Sequence, residues 1–207
     1  MIEQKTRPMP KSRARGRPRE FDPDRALDAA IEIFSERGYH GTSITDLADA
    51  TDLTTGSLYK AFTDKRGILL AAFDRYRSVR SAKLETALAQ GANGREKIKA
   101  ALAFHAGAAH GVSGRRGCLV VSMANELAAH DPVIAERVAK AHAANEAIMR
   151  ELVIAGQADG SVSTSLDPVA AGLLLLFLLQ GLRVVGKTSR PEAQMLAAAE
   201  LASRILD

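Results

Sequence analysis

Two short apolar-periodic segments, separated by almost nothing, constrain this chain more than any other feature. Ile44, Leu47 and Ala48 fall on one face of a first helix, and Leu58 and Phe62, four apart, fall on one side of a second. Ser43 followed three residues later by Asp46 resembles a capping box, with Asp where Glu or Gln is usual. Thr54 is a good cap for the second helix. Only "TDL" and Thr54 lie between them. So short a link forces two helices to cross steeply, which suits a helix-turn-helix. The second segment also opens oddly. "TTGS", Thr54 to Ser57, is small and polar, a poor start for an ordinary core helix.

The surrounding pattern is helical throughout. Asp22-Pro23 starts a helix carrying Leu27, Ala30, Ile31 and Phe34 inward, and Gly38 stops it. Asp64 caps a long fourth helix whose stripe is Ile68, Leu69, Ala72, Phe73 and Tyr76, ended by "GANG". Further helices are expected from Arg95 to about Ala109, Cys118 to Ala129, Pro132 to Ile154 or Gly156, Pro168 to about Val185, and Pro191 or Glu192 to Leu206. "GVSGRRG" between the fifth and sixth reads as a loop. Alanine and leucine dominate, aromatics are 4% and there is no Trp. No β-branched alternation marks a strand, so the expected class is all-α with about nine helices. The 207 residues allow one sizeable domain or two small ones sharing a core.

Charge is unevenly placed. Of 28 Lys/Arg and 24 Asp/Glu, residues 1–19 hold seven bases and one acid, so this arm carries +6 and the remainder −2. A basic arm on a near-neutral body points to a polyanion, most simply nucleic acid. A disordered solubilising tail has the same composition. The single cysteine, Cys118, forbids an internal disulfide and suits a reducing cytosol. The first twenty residues hold no apolar core of a secretory signal. The longest apolar run, Val169 to Leu179, is eleven residues against the roughly 20 of a membrane span, so a buried helix and no membrane partner are expected.

Catalytic chemistry finds no foothold. There is no nucleophile motif, no pair of carboxylates placed for acid–base work, and "GVSGRRG" lacks the Gly-Lys-Ser/Thr of a phosphate loop. His105 and His110, five apart, point about 140° from each other on a helix. With His40, His130 and His142 they show no metal spacing, and no cofactor is expected.

The segment "ALDAAIEIFSERGYHGTSITDLADATDLTTGSLYKAFTDKRGIL" resembles the DNA-binding domain of the TetR family of bacterial repressors. The likeness rests on Phe-x-x-x-Gly-Tyr closing the first helix, Thr-Ser opening the second, Leu-Ala within it, Gly-Ser-Leu-Tyr in the third, then Phe62 and Asp-Lys. It covers about 60 residues, with "RGCLVV" a weaker family-like touch further on. Two departures stand out: Thr55 where the family commonly has Lys, Arg or a larger residue, and Ala61 where it often has His, Asn or Tyr. Both remove contacts to DNA and leave the operator sequence open.

The resemblance implies a basic arm (1–19), a helix-turn-helix domain (20–80, motif 43–62) and a C-terminal ligand-binding and dimerisation domain (81–207). It also gives the polar opening of the third helix a purpose. A recognition helix enters the major groove by its N-terminal end, and small residues let its backbone come close. Thr45, Thr55, Gly56, Ser57 and Lys60 are then expected at or near bases. Thr42 or Ser43, Tyr59 and Lys65 are expected on phosphates, and Thr54, which caps the helix, is expected among the DNA-binding residues as well. In the arm, "RARGRPRE" contains the Arg-Gly-Arg-Pro of an A·T-hook, which would place Arg13, Arg15 and Arg17 in the minor groove or on the backbone.

For the C-terminal part, the resemblance implies a homodimer through the last two helices and a pocket for a small-molecule effector. "AAGLLLLFLLQGLRVVG" is apolar all round, as expected of a helix covered by a partner chain, with Gly172 and Gly181 allowing close approach. Phe104, His105, Cys118, Met123, Leu127, Met149 and Phe177 are candidate pocket residues, implying an apolar or amphipathic ligand. The same residue types at helical spacing also suit plain core. Cys118 after "GRRG" is a candidate sensor thiol or an inert core residue. The expected function is a cytoplasmic, ligand-released repressor of a palindromic operator. An architectural protein of A·T-rich DNA, led by the arm and lacking an effector, is the alternative.

Overall fold

The computed structural model describes residues 22–207, so the arm with Arg13, Arg15 and Arg17 lies outside the described residues. Ten α-helices follow one another: α1 Pro23–Arg37, α2 Ile44–Thr51, α3 Thr55–Phe62, α4 Lys65–Leu88, α5 Gly94–Gly107, α6 Gly111–Arg116, α7 Leu119–Glu126, α8 Pro132–Ala158, α9 Pro168–Val185 and α10 Glu192–Ala202. The described residues contain no strand, and the chain is all-α as expected.

Local chemistry accounts for most boundaries. Asp22, Asp131 and Asp167 each cap a helix that begins with Pro, their carboxylates accepting from the first free N–H groups. The Ser43–Asp46 capping box is complete in both directions. Thr54, Asp64 and Asn93 cap α3, α4 and α5.

One element departs from expectation. "GVSGRR" is helical, not a loop. No side chain caps it; what holds it is packing. A Cβ on Gly114 would sit 2.6 Å from the Ala109 carbonyl carbon and 3.0 Å from the Gly186 oxygen, so the absent side chain lets three backbones meet. The Gly186 contact comes from about 70 residues away, which no local pattern encodes. The last helix also ends early, at Ala202, and continues as a 3-10 turn over Ser203–Leu206.

The interior divides in two. Phe34, Leu47, Leu58, Ile68, Leu69 and Phe73 of the first four helices close around Leu119 and Met123 of α7 and Ile134 of α8. Further along, Leu84 at the far end of α4 joins Ile98, Leu102, Met149, Val153, Leu175 and Leu179. The long helices α4 and α8 therefore run through both cores, and α7 is packed into the first.

The segment Pro168–Thr188 is apolar enough and long enough to cross a membrane, because Leu182, Val184 and Val185 resume the apolar run after Gln180. Its two faces differ. Ala171, Leu175, Leu176, Leu179 and Arg183 are buried against the rest of the chain, whereas Leu173, Leu174, Phe177, Val184 and Val185 are exposed. Gly172 packs against Arg150 of α8 within the same chain, with 3.0 Å between its missing Cβ and the Arg150 Cβ. Gly181 faces open space.

Candidate functional site

The α2–α3 unit presents one polar face. Leu58 is fully buried and Phe62 half-buried, which turns Thr55, Gly56, Ser57, Tyr59 and Lys60 outward together, with Thr45 of α2 exposed beside them. The Thr54 hydroxyl accepts from the Ser57 N–H at 3.1 Å and lies 2.9 Å from the Ser57 hydroxyl. The remaining N–H groups of the first turn of α3 point to solvent with their partial positive charge, a ready site for a phosphate. Around Gly56 the protein is empty: the nearest atom to an added Cβ is the Thr54 hydroxyl at 3.9 Å. Its φ lies outside the left-handed region, so the fold itself does not demand glycine here.

Of the residues expected on phosphate, Thr42 and Ser43 bond within the fold, and Lys65 does so in part. Thr42 is buried, and its hydroxyl donates to the Gly38 carbonyl at 2.6 Å, so it offers nothing to DNA. The Ser43 hydroxyl donates to Asp46 at 2.6 Å and accepts from the Asp46 N–H at 3.0 Å, while the Ser43 N–H is held by the same carboxylate. These bonds from Ser43, with Arg37 at 3.0 Å, hold the Asp46 carboxyl below its ordinary range. Lys65 donates to the carbonyls of Tyr39 at 2.9 Å and Thr42 at 2.8 Å and sits over the Tyr39 ring. Two of its three N–H groups are used to tie α4 to the α1–α2 connection, leaving one for a phosphate.

That connection is also gripped from the other side, which no local pattern foretells. The Glu126 carboxylate, at the end of α7, accepts from the N–H groups of Tyr39 at 2.8 Å and His40 at 2.6 Å. Arg66 pairs in bidentate fashion with Asp131 at 2.8 and 2.9 Å, and this hydrogen bonding holds the Asp131 carboxyl at about 2. Arg116 reaches Glu32 at 2.8 Å. The helix-turn-helix is thus latched to the α6–α8 region by two ion pairs and the Glu126 bonds to backbone N–H groups, all between residues more than 60 apart in sequence.

Behind the latch lies a small cavity of about 40 Å³ between α4, α5, α8 and α9. Of the expected pocket residues it takes Phe104, His105 and Cys118. The other four are elsewhere. Met123 and Met149 are fully buried in the two cores, and Leu127 packs against the first. Phe177 is 60% exposed and lines an apolar groove of about 260 Å³ between α9 and α10, with Gly181 and Val185.

The cavity wall is mixed, polar groups facing Leu84, Phe104 and Val120, so of the apolar or amphipathic ligand expected its lining suits the amphipathic kind. Tyr76, Arg77 and Arg80 enter from α4, Asn145 from α8, and Gln180 and Arg183 from α9. Arg183 is buried and donates to the Ala108 and Gly117 carbonyls. Arg80 stacks over the Phe104 ring, 4.3 Å from its centre. Burial, then repulsion from Arg80, Arg183 and Arg77, pushes His105 down to about 3, so it is neutral near pH 7. Burial raises the Cys118 thiol. Arg183, the Tyr76 hydroxyl at 3.3 Å and the Val121 and Val120 N–H groups outweigh it, and the net shift is downward. Burial and the neighbouring thiol push the Tyr76 hydroxyl up. In the sequence, Tyr76 and Arg80, four apart on an apolar stripe, and Arg183, a base in an apolar helix, were the available signals.

Residues 26–72 match the family model described as bacterial regulatory proteins, tetR family, and residues 94–201 match the tetracyclin repressor-like C-terminal domain. The HTH-type transcriptional repressor ComR of Escherichia coli K12 is 31% identical over 176 residues, 83% of this chain and 82% of that protein. The uncharacterized HTH-type transcriptional regulator YezE of Bacillus subtilis is 32% identical over 58% of this chain and 62% of its own. Among solved structures, a cysteine mutant of the TetR family regulator CifR, complexed with 26-bp operator DNA, superposes with a TM-score of 0.82 at 29% identity. The match spans 93% of this chain and 100% of that one.

Proposed function

The chain belongs to the tetR family of bacterial regulatory proteins, DNA-binding transcriptional regulators rather than enzymes, and on that premise we propose that it is a homodimeric repressor released by a small molecule. The observation that carries the DNA-binding half is the start of α3. Small polar residues there are turned outward, and a glycine that the fold does not require faces open space. Thr55, Gly56, Ser57 and Lys60, with Thr45, read base edges, and Tyr59 and the spare N–H of Lys65 hold phosphate. Arg13, Arg15 and Arg17 add minor-groove or backbone contact.

A second copy covers the exposed apolar face of α9 and the groove beside α10, burying Leu173, Leu174, Phe177, Val185 and Leu201. Two recognition helices then face successive major grooves one turn apart, which makes the operator an inverted repeat. The effector occupies the cavity behind α7. Cys118, at its rim, caps α7, and Glu126, at the other end about 12 Å away, holds the α1–α2 connection. Arg77 and Arg80 lie on the same α4 that begins at Lys65. A ligand that favours a shifted α4 or α7 therefore favours recognition helices that no longer match the groove spacing. Such a regulator acts in the cytoplasm, where the DNA is.

Selection of bound sequences from a random double-stranded pool tests this reading. A recurring inverted repeat supports it. Enrichment of A·T-rich DNA without a dyad overturns it in favour of the architectural reading.

A further inference from the structure

The cavity holds three guanidinium groups, those of Arg77, Arg80 and Arg183, and no carboxylate of the described residues lines it. Among the described residues none of the three forms an ion pair with Asp or Glu. Arg77 reaches only the Asn145 side-chain oxygen, at 3.4 Å, and Arg183 only backbone carbonyls. Two buried polar atoms on the cavity wall lack a hydrogen-bond partner among the described residues: the Arg183 Nε and the His105 Nδ1. Both residues are more than nine-tenths buried. A buried cation without counter-charge is costly; Arg183 is buried, Arg77 and Arg80 are half-buried, and desolvation and mutual repulsion weaken the hold of Arg80 on its proton. An ionised Cys118 would offset one of the three charges. Two would remain.

We propose that this cavity binds a short-chain monocarboxylate, its oxygens received by Arg77, Arg80 and the free Nε–H of Arg183. The planar fork of a guanidinium matches a carboxylate. Phe104, Leu84 and Val120 supply an apolar wall for a short alkyl tail. The volume of about 40 Å³ has room for about three water-sized groups, the scale of acetate or propionate. The bulkier, doubly charged phosphate fits less well, since His105 adds no positive charge. As the identity of the effector, the inference rests on the ligand-released reading above; as a binding site, it stands alone.

Titration calorimetry and thermal denaturation of the full-length protein test it, in a low-chloride buffer of fixed ionic strength. Formate, acetate, propionate and butyrate are compared with acetamide and propionamide. Acetate or propionate binds saturably and raises the Tm, and the isosteric amides do neither. Arg80→Gln raises the Tm of the free protein by removing a like charge, and weakens carboxylate binding by about tenfold or more. Arg77→Gln weakens it similarly. Equal binding of amide and acid, no saturable binding of any of the four acids, tighter binding of inorganic phosphate, or unchanged affinity in both variants overturns the proposal. Adding the acid to the protein–operator complex separates the two readings. Binding without release of DNA sinks the effector role and leaves the site, whereas release by a neutral compound with no acid binding does the reverse.

Discussion

Replacing Gly56 with alanine separates folding from DNA recognition more cleanly than any other single change. Here an added methyl meets nothing nearer than the Thr54 hydroxyl at 3.9 Å, and the backbone is not in the left-handed region. Alanine should therefore stabilise the free protein by about 0.4–1 kcal/mol, chiefly by restricting the unfolded chain. In the proposed complex the same methyl would lie between the helix start and the base edges. Removing one good base interaction costs about 1–3 kcal/mol per half-site. Two half-sites in a dimer double that, so affinity should fall by at least roughly 30-fold. Urea unfolding gives the first quantity. Fluorescence anisotropy on the selected operator, at fixed salt, gives the second. A destabilised variant would mean that the fold needs the glycine after all. Unchanged affinity would mean that the start of α3 does not approach the bases, and the recognition argument would fail.

Glu126→Ala removes two charge-assisted hydrogen bonds to the Tyr39 and His40 N–H groups, so stability should drop by about 2–4 kcal/mol, part of the latch being exposed. The variant should still bind operator but respond more weakly to effector, and an undiminished response in anisotropy would rule out the α7 route. Stability should also fall on acidification through His105. Its folded pKa of about 3 lies below the unfolded value of 6.5, so between these pH values the unfolded chain takes up a proton that the folded chain refuses. The loss is about 2 kcal/mol between pH 7 and pH 5, and urea unfolding of His105→Gln should show that part of the pH dependence removed. Phe177→Glu should give folded monomers in sedimentation, whereas Leu175→Glu should unfold the chain, because Leu175 is fully buried within its own protomer. Deleting residues 1–19 should flatten the salt dependence of DNA binding by about 0.9 for each phosphate that the arm neutralises, and an unchanged slope would place the arm off the DNA.

The short elements were legible because their causes are local. Asp-Pro starts, the Ser43–Asp46 box and the Thr54 cap each act within four residues, and the structure has them as read. The outward face of α3 was legible for the same reason: Leu58 and Phe62 fix which side is buried. Residues with two plausible uses were not. Thr42 looked like a phosphate contact, yet its bond to Gly38 depends on how α1 turns into α2, and Lys65, expected on phosphate, also spends two N–H groups where that connection meets α4. Phe104, His105 and Cys118 do line the cavity, whereas Met123 and Met149 do not, because hydrophobicity reports burial, not emptiness. Met123 and Met149 fill space, and the cavity is lined where polar residues interrupt an apolar stripe.

By itself, then, the sequence determined an all-α chain, a helix-turn-helix with one polar face, and the likeness to DNA-binding repressors, because period, caps and short links act over a few residues. Only the tertiary structure decided what becomes of long-range charge. Three arginines from α4 and α9 converge on one cavity without an acid, and Glu126 reaches back more than eighty residues to hold the α1–α2 connection. No spacing rule links those positions, since helix packing alone brings them together and burial alone gives their charges weight.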